Sequence, residues 1–324
     1  MLTTFMRRAD GTARTIESAA DLAAEWADPG AVVWIDMEDP TQEEVRAVDA
    51  VIDLDDEAWD DCLRGLQRPR IDEYENYLFL VVYGLLDPEQ GADGQPRKLA
   101  AFCGDRFLLT VHHEALPSID RLRARCQQHA AHVLGFGVDH LLYNILDAMA
   151  DNYLSVSEAY EGQLEKLEDR SLQLAADESV LRELADLRRR LLELRRIATA
   201  QLDVIEPISE GEYDYISEAL GRRFAHVRDH LLKVVEHVDS LRELGGGVRD
   251  NYHAALAVRT NAVIRTLTVF ASVLLPLSLI AGIYGMNLPV WPSSAQRWSF
   301  WAVIGVMAAV AAGLLWSFRR KRWV

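Results

Sequence analysis

Two long uncharged runs near the C-terminal end constrain this chain more than anything else in it. Thr266 to Met286 reads TLTVFASVLLPLSLIAGIYGM, 21 residues without a charge, and Phe300 to Trp316 reads FWAVIGVMAAVAAGLLW, 17 residues that are all apolar or Gly. A helix needs about 20 such residues to cross a hydrocarbon layer roughly 30 Å thick. Core helices of a soluble domain are the competing explanation, but two such runs separated by 13 residues are hard to bury in one soluble domain. Trp291, Trp298, Trp301, Trp316 and Trp323 gather near the expected span ends, where an indole is at home in the interface.

Charge divides the chain at the same place. The formal net charge is -16, yet residues 261–324 contain no Asp or Glu and six basic residues, Arg265, Arg297, Arg319, Arg320, Lys321 and Arg322, which leaves residues 1–260 at -22. An acidic large domain speaks against a nucleic-acid partner. The basic tail RRKRWV predicts a cytoplasmic C-terminus, and two spans then put residues 1–260 in the cytoplasm as well. The first residues, MLTTFMRRADGTART, carry basic side chains without an apolar run, so no signal peptide is expected. Cys62, Cys103 and Cys126 are too widely spaced for a disulfide framework or a metal-binding pair.

The cytoplasmic part reads as two regions. Residues 1–117 suggest a mixed α/β domain with its core at about 31–113. AVVWIDMEDP at 31–40 reads as a strand and turn, and Thr41 to Ile52 as a helix opened by a Thr41–Glu44 capping box. YLFLVVY at 77–83 is the strongest strand signal. A turn at 91–97 and strands at 99–103 and 106–111 around Gly104–Asp105 follow. No glycine-rich phosphate loop accompanies these strands, and HHE at 112–114 is too short for a helical zinc-protease motif, so no enzyme is indicated. Residues 118–262 suggest long helices. Leu181, Leu184, Leu187, Leu191, Leu194 and Ile197 share one stripe. A break is expected near 207–211. A very long helix then starts near Ile216 and runs into the first span, with Gly245–Gly247 as either a break or a close-packing point. The fold class is therefore an α+β cytoplasmic domain with long helices leading into two C-terminal transmembrane helices at 263–287 and 300–318. An external loop at 288–299 and a basic tail at 319–324 complete the chain.

Two spans cannot enclose a wide aqueous path, but a ring of copies can. The first span suits the lining, because it carries Thr266, Thr268, Ser272, Pro276, Ser278, Gly282 and Tyr284, whereas the second has nothing polar before Ser317. A membrane-anchored scaffold or signalling protein is the alternative at this point.

LPLSLIAGIYGMN at 275–287 resembles the CorA family of divalent-cation channels, whose signature is a Gly-Met-Asn at this location, here Gly285, Met286 and Asn287. WIDMEDPTQEE at 34–44, RPRIDEYENYLFL at 68–80, FLLTVHHEALP at 107–117 and the Asp229–His230 pair extend the likeness over the chain. The resemblance implies a funnel-like homopentamer in the cell inner membrane that passes Mg²⁺, often with Co²⁺ or Ni²⁺, with no enzymatic cofactor. Five copies of Asn287 would then form a ring of neutral oxygens around a hydrated ion, a helix cap being the simpler role for that residue. Gly285 would permit a turn, Met286 would pack and Tyr284 would brace the loop. Asn261, Ile264, Leu267, Ala271, Leu275 and Ser278 would face the path, with Asn261 and Ser278 touching hydrated ions and Ile264, Leu267 and Leu275 opposing wetting. Ordinary helix packing is the competing role for Ile264 and Leu267.

The chain departs from the family at His226. Magnesium-sensing relatives have a carboxylate there, so His226 points to Zn²⁺ or to simple packing, and Asp229 is a candidate substitute. The acidic residue often found after Gly-Met-Asn is also replaced, by Leu288–Pro289. A zinc transporter of the same architecture, with or without proton coupling, is therefore the main alternative. His226, His230 and His237 recur on one helix, where a surface location is the default.

Overall fold

The computed structural model describes all residues except 17, 18, 64, 66, 87–93, 173–178, 287–296, 322 and 324. Two compact units account for them, one made of residues 1–167 with 181–247 and the other of residues 168–180 with 248–324.

The first unit holds a seven-stranded sheet. Its strands are β1 (Leu2–Arg7), β2 (Ala13–Ile16), β3 (Val32–Glu38), β4 (Arg70–Glu73), β5 (Tyr77–Leu85), β6 (Pro96–Gly104) and β7 (Phe107–His112), in spatial order β2-β1-β3-β7-β6-β5-β4. Neighbours are antiparallel except β3 and β7, which run parallel with Trp34 opposite Leu108. The expected strands at 31–40, 77–83, 99–103 and 106–111 are present. The sheet also contains β1, β2 and β4, which hydrophobic patterning did not single out. β6 starts at Pro96, inside the expected turn at 91–97, whose residues 91–93 lie outside the described set.

All nine residues of β5 are buried. A strand reads that way when both faces of its sheet are covered. On one face Trp59 of α3 (Asp56–Leu63) packs at 5.6 Å from the Phe102 ring, which also meets Phe79 at 4.7 Å. On the other, Gly84 lies so close to Leu116 that a Cβ would sit 2.7 Å from its Cδ2, with Met149 of α5 (Val138–Ser171) beside it. A larger residue there would force the Leu116 side chain to shift.

Helices also complete the sheet edge. β4 pairs with β5 only as far as Val81, which leaves the Tyr83 and Leu85 backbone without a strand partner on that side. The Tyr83 N–H donates to Gln201 Oε1 at 2.8 Å, from α6 (Ser179–Glu210), and the Tyr83 carbonyl accepts from Tyr153 Oη at 2.9 Å. Both partners are buried. An unpaired backbone group in that setting would cost on the order of 1–3 kcal/mol.

α1 spans Ala19–Glu25, and at the start of α2 (Gln42–Ile52) Thr41 and Glu44 form the expected capping box. On α6, Leu184, Leu187, Leu191, Leu194 and Ile197 are buried and Leu181 is half-buried. Pro207 is accommodated in the last turn, and the helix ends at Glu210 before Gly211 with φ +77°, inside the expected break at 207–211. α4 spans Pro117–Val133. The last two helices are α7 (Glu218–Gly285, 68 residues) and α8 (Arg297–Arg320). α7 passes through Gly245–Gly247 unbroken, and a Cβ placed on Gly245 would meet Leu184 and Leu164 at 3.6 and 3.8 Å, ordinary contact, while one on Gly246 or Gly247 would meet nothing within 4 Å. Neither expectation for the glycine triplet holds: the helix does not break there, and no neighbour comes close enough to exclude a Cβ.

Candidate functional site

α7 and α8 are the helices long and apolar enough to cross a membrane among the described residues. Their most apolar windows have mean hydropathies of 2.1 and 1.9, and only 6% of each window is buried. A core helix of a soluble protein would be mostly buried, so the core-helix explanation fails for both.

Within the second unit, α7 has two unlike sides. Val269 is buried, and Ser272, Val273, Pro276, Leu277 and Ile280 are half-buried, at helical spacing. α8 is shielded along a matching stripe through Val303, Met307, Val310 and Leu314. Val269 and Val273 line one crevice with Leu315 of α8, so this is the side of α7 that lies toward α8. Asn261, Ile264, Leu267, Ala271, Leu275, Ser278 and Gly282 are all exposed. At about 3.6 residues per turn their stripe lies roughly half a turn round α7 from the α8-facing side. Leu267 and Leu275 are 68% and 70% exposed, values that water would not favour for leucine.

The chemistry along that stripe is graded. It is polar at Asn261, apolar from Ile264 through Leu275, and polar again at Ser278. Two other hydroxyls of the span are committed to the helix itself: Thr266 Oγ1 donates to the Ala262 carbonyl at 3.0 Å and Thr268 Oγ1 to that of Ile264 at 2.7 Å. Pro276 has no N–H to offer the Ser272 carbonyl, yet α7 continues past it. Tyr284 and Gly285 belong to the last turn, and the Met286 N–H donates to the Gly282 carbonyl at 3.1 Å. Met286 is exposed rather than packed within the chain. Asn287 and loop residues 288–296 lie outside the described residues.

The histidines of α7 lie opposite acids of α5 in the first unit. His230 Nδ1 is 3.5 Å from Asp151 Oδ1, and His237 Nε2 is 3.3 Å from Glu161 Oε2. Burial, reinforced by the charge of Asp151, lifts the Asp147 carboxyl above the usual range, while a hydrogen bond with Tyr143, and then His230 and His226, act against that rise. His226 is exposed, and exposed Asp229 pairs with its neighbour Arg228 at 3.2 Å. Among the described residues, no group of three or more His, Cys, Asp or Glu side chains is placed to hold a metal ion. Hydrophobic patterning had passed over Asp147 and Asp151. Their four-residue spacing on α5 is visible in the sequence, but what they face depends on how α5 packs on α7. The three cysteines are free and buried, and burial pushes the Cys62 and Cys103 thiols up to about 12.

Comparison with known proteins agrees with this architecture. YfjQ of Bacillus subtilis (strain 168) is 31% identical over 290 residues, covering 90% of this chain and 89% of the relative. The cobalt/magnesium transport protein CorA of Thermotoga maritima is 27% identical over 265 residues, 82% of this chain and 75% of the relative. The complete structure of the CorA magnesium transporter from Methanocaldococcus jannaschii superposes with a TM-score of 0.83 at 22% identity, over 99% of this chain and 98% of that one. The family described as CorA-like Mg2+ transporter protein matches residues 29–320, and with sheet, long helix and paired apolar helices all in place, the chain belongs to that family.

Proposed function

We propose that this protein is a homopentameric channel for divalent cations in the cell inner membrane, with Mg²⁺ as its main cargo and Co²⁺ or Ni²⁺ as further passengers. The observation that carries this reading is the exposed stripe of α7 turned away from α8, polar at both ends and apolar between. In a ring of five copies that stripe lines the axis, α8 faces lipid, and both termini lie in the cytoplasm, where the basic tail is favoured.

Mg²⁺ gives up its water reluctantly and prefers oxygen ligands. A ring of Asn287 carbonyl oxygens at the outer mouth would accept hydrogen bonds from the ion's water shell without the tight grip of a carboxylate ring. Ser278 and Asn261 would greet the hydrated ion further in. Between them Ile264, Leu267 and Leu275 would close the path by dewetting when the ring is narrow. The charge of -22 on residues 1–260 raises the local concentration of cations on the inner side. Gly285 allows the backbone to turn after the span, and Tyr284 braces that turn.

His226 supports a second reading, Zn²⁺ transport with or without proton coupling, because imidazole is a better ligand for Zn²⁺ than for Mg²⁺. One experiment separates these readings. Purified protein in liposomes is offered Mg²⁺, Co²⁺, Ni²⁺ and Zn²⁺, with and without a proton gradient. Mg²⁺ entry that ignores the gradient and collapses in Asn287→Ala is expected. Zn²⁺ entry driven by the gradient would favour the second reading. No movement of any divalent ion would leave a scaffold as the remaining function.

A further inference from the structure

A crevice of about 500 Å³ opens between α7 and α8, lined by Thr266, Val269, Val273, Leu274, Leu315 and Trp323. The chain after α8 helps to build it. The Trp323 N–H donates to the Phe318 carbonyl at 2.9 Å, and the Trp323 ring stacks on Phe318 at 5.8 Å, so the tail folds back and brings an indole to the crevice.

The end of the crevice is basic. Arg265 precedes Val269 by four residues and Arg319 follows Leu315 by four, so each arginine stands one helical turn beyond a lining residue and on its side of the helix. Both are exposed, and neither has a carboxylate partner among the described residues. Arg320 is engaged elsewhere, its guanidinium lying 5.6 Å from the Trp316 ring centre. Residues 261–324 contain no Asp or Glu. The spans of a second copy would therefore bring apolar surface to the crevice and no counter-charge for Arg265 or Arg319.

We propose that this crevice binds one anionic phospholipid of the cytoplasmic leaflet. An acyl chain lies along Val269, Val273 and Leu315, and the phosphate sits between Arg265 and Arg319. Guanidinium groups match phosphate oxygens in geometry and charge. Basic side chains just beyond a span attract anionic headgroups, and Trp323 sits at the depth where indoles favour the interface. The site rests on the reading that α7 and α8 cross a bilayer with the tail inside, and not on which ion moves.

Lipids with dibrominated acyl chains test it, because bromine quenches only nearby indoles. The full-length wild type and Trp323→Phe are reconstituted in phosphatidylcholine vesicles containing rising fractions of brominated phosphatidylglycerol or brominated phosphatidylcholine. The difference between the two proteins isolates Trp323. Half-quenching by the anionic lipid is expected at a fraction roughly tenfold lower than for the neutral one, with each arginine supplying roughly fivefold at most. Arg265→Gln with Arg319→Gln should abolish the preference, and Arg265→Lys with Arg319→Lys should retain most of it. Equal quenching by both lipids overturns the site and leaves ordinary lipid contact. Quenching by neither overturns it in favour of a second copy's helix. Mg²⁺ uptake is read in the same vesicles: lost uptake with the lipid preference intact contradicts the channel alone, and intact uptake without the preference contradicts the lipid site alone.

Discussion

The sheet-bearing unit and the unit containing the paired apolar helices use similar side chains in opposite ways. In the sheet, Leu78, Phe79, Leu80 and Phe102 are wholly buried, and the carboxylate buried among them, Asp36, is matched. Asp36 on β3 accepts from Thr110 Oγ1 at 2.7 Å and from Arg123 Nη2 of α4 at 2.6 Å, and its other neighbour is His112 Nε2 at 3.3 Å. On α8 and the apolar C-terminal part of α7, leucine, isoleucine and tryptophan point outward and Trp301 is 72% exposed. Water drives apolar groups inward in the first case, whereas the second makes sense only where the surroundings are themselves apolar. The same truncation should therefore act on folding in one region and on conduction in the other.

The largest expected effect on stability is at Phe102, whose ring contacts Trp59, Tyr77 and Phe79. Phe102→Ala should cost about 3–5 kcal/mol, read as a marked drop in the unfolding temperature of the detergent-solubilised protein. Leu267→Ala should leave that temperature nearly unchanged and instead raise divalent-cation leak through a wetter constriction. A large loss of stability at Leu267 with no change in leak would collapse the contrast between the regions.

Arg123→Met ranks next, since it strands buried Asp36 beside His112. Removing one partner of a buried pair costs on the order of 3 kcal/mol, less here because His112 and Thr110 remain. The same network makes stability depend on pH. Burial opposes both charges, but contact with His112, Thr110 and Arg123 outweighs it and holds Asp36 below its ordinary 3.8, while Asp36 raises His112 above its ordinary 6.5. The Asp36 contribution is present above 3.8 and fades as pH falls through its lower folded value. The His112 contribution is complete below 6.5 and fades as pH rises through its higher folded value. The pair is thus most stabilising between those ordinary values. Wild type should lose more unfolding temperature than His112→Gln when pH is raised well above the histidine range. Parallel pH profiles for the two proteins would remove this pair from the account.

The smallest effect is at Thr41. Thr41→Ala removes half of the capping box on α2 and should cost about 1 kcal/mol, with divalent-cation flux unchanged.

Legibility in the sequence followed the same division. The spans stood out because a bilayer demands an uncharged run of fixed length, and β5 because both its faces are covered. β1 stayed hidden: Thr3 and Thr4 are buried between β2 and β3, and a polar residue in a two-sided strand erases the apolar signal. The break near 207–211 was legible and falls at Gly211, whereas Gly245–Gly247, read as either a break or a close-packing point, lies within an unbroken helix with room for a Cβ at each position. That Asn261, Ile264, Leu267, Ala271, Leu275 and Ser278 share one side of α7 was readable from their spacing of three and four. Which side of α7 faces α8 was not, because that depends on how two apolar helices pack. Nor was the placement of Asp147 and Asp151 opposite the α7 histidines.

Thiol modification during flux tests the central claim most directly, because the native cysteines are all buried and contribute little background. Asn261→Cys, Ser278→Cys and Val273→Cys are each reconstituted and treated with a membrane-impermeant thiol reagent while Mg²⁺ uptake is followed. Uptake should be blocked in the first two proteins and persist in the third, whose residue 273 faces α8. Block at position 273 with continued uptake at 261 and 278 would place the ion path on the other side of the helix and contradict the account.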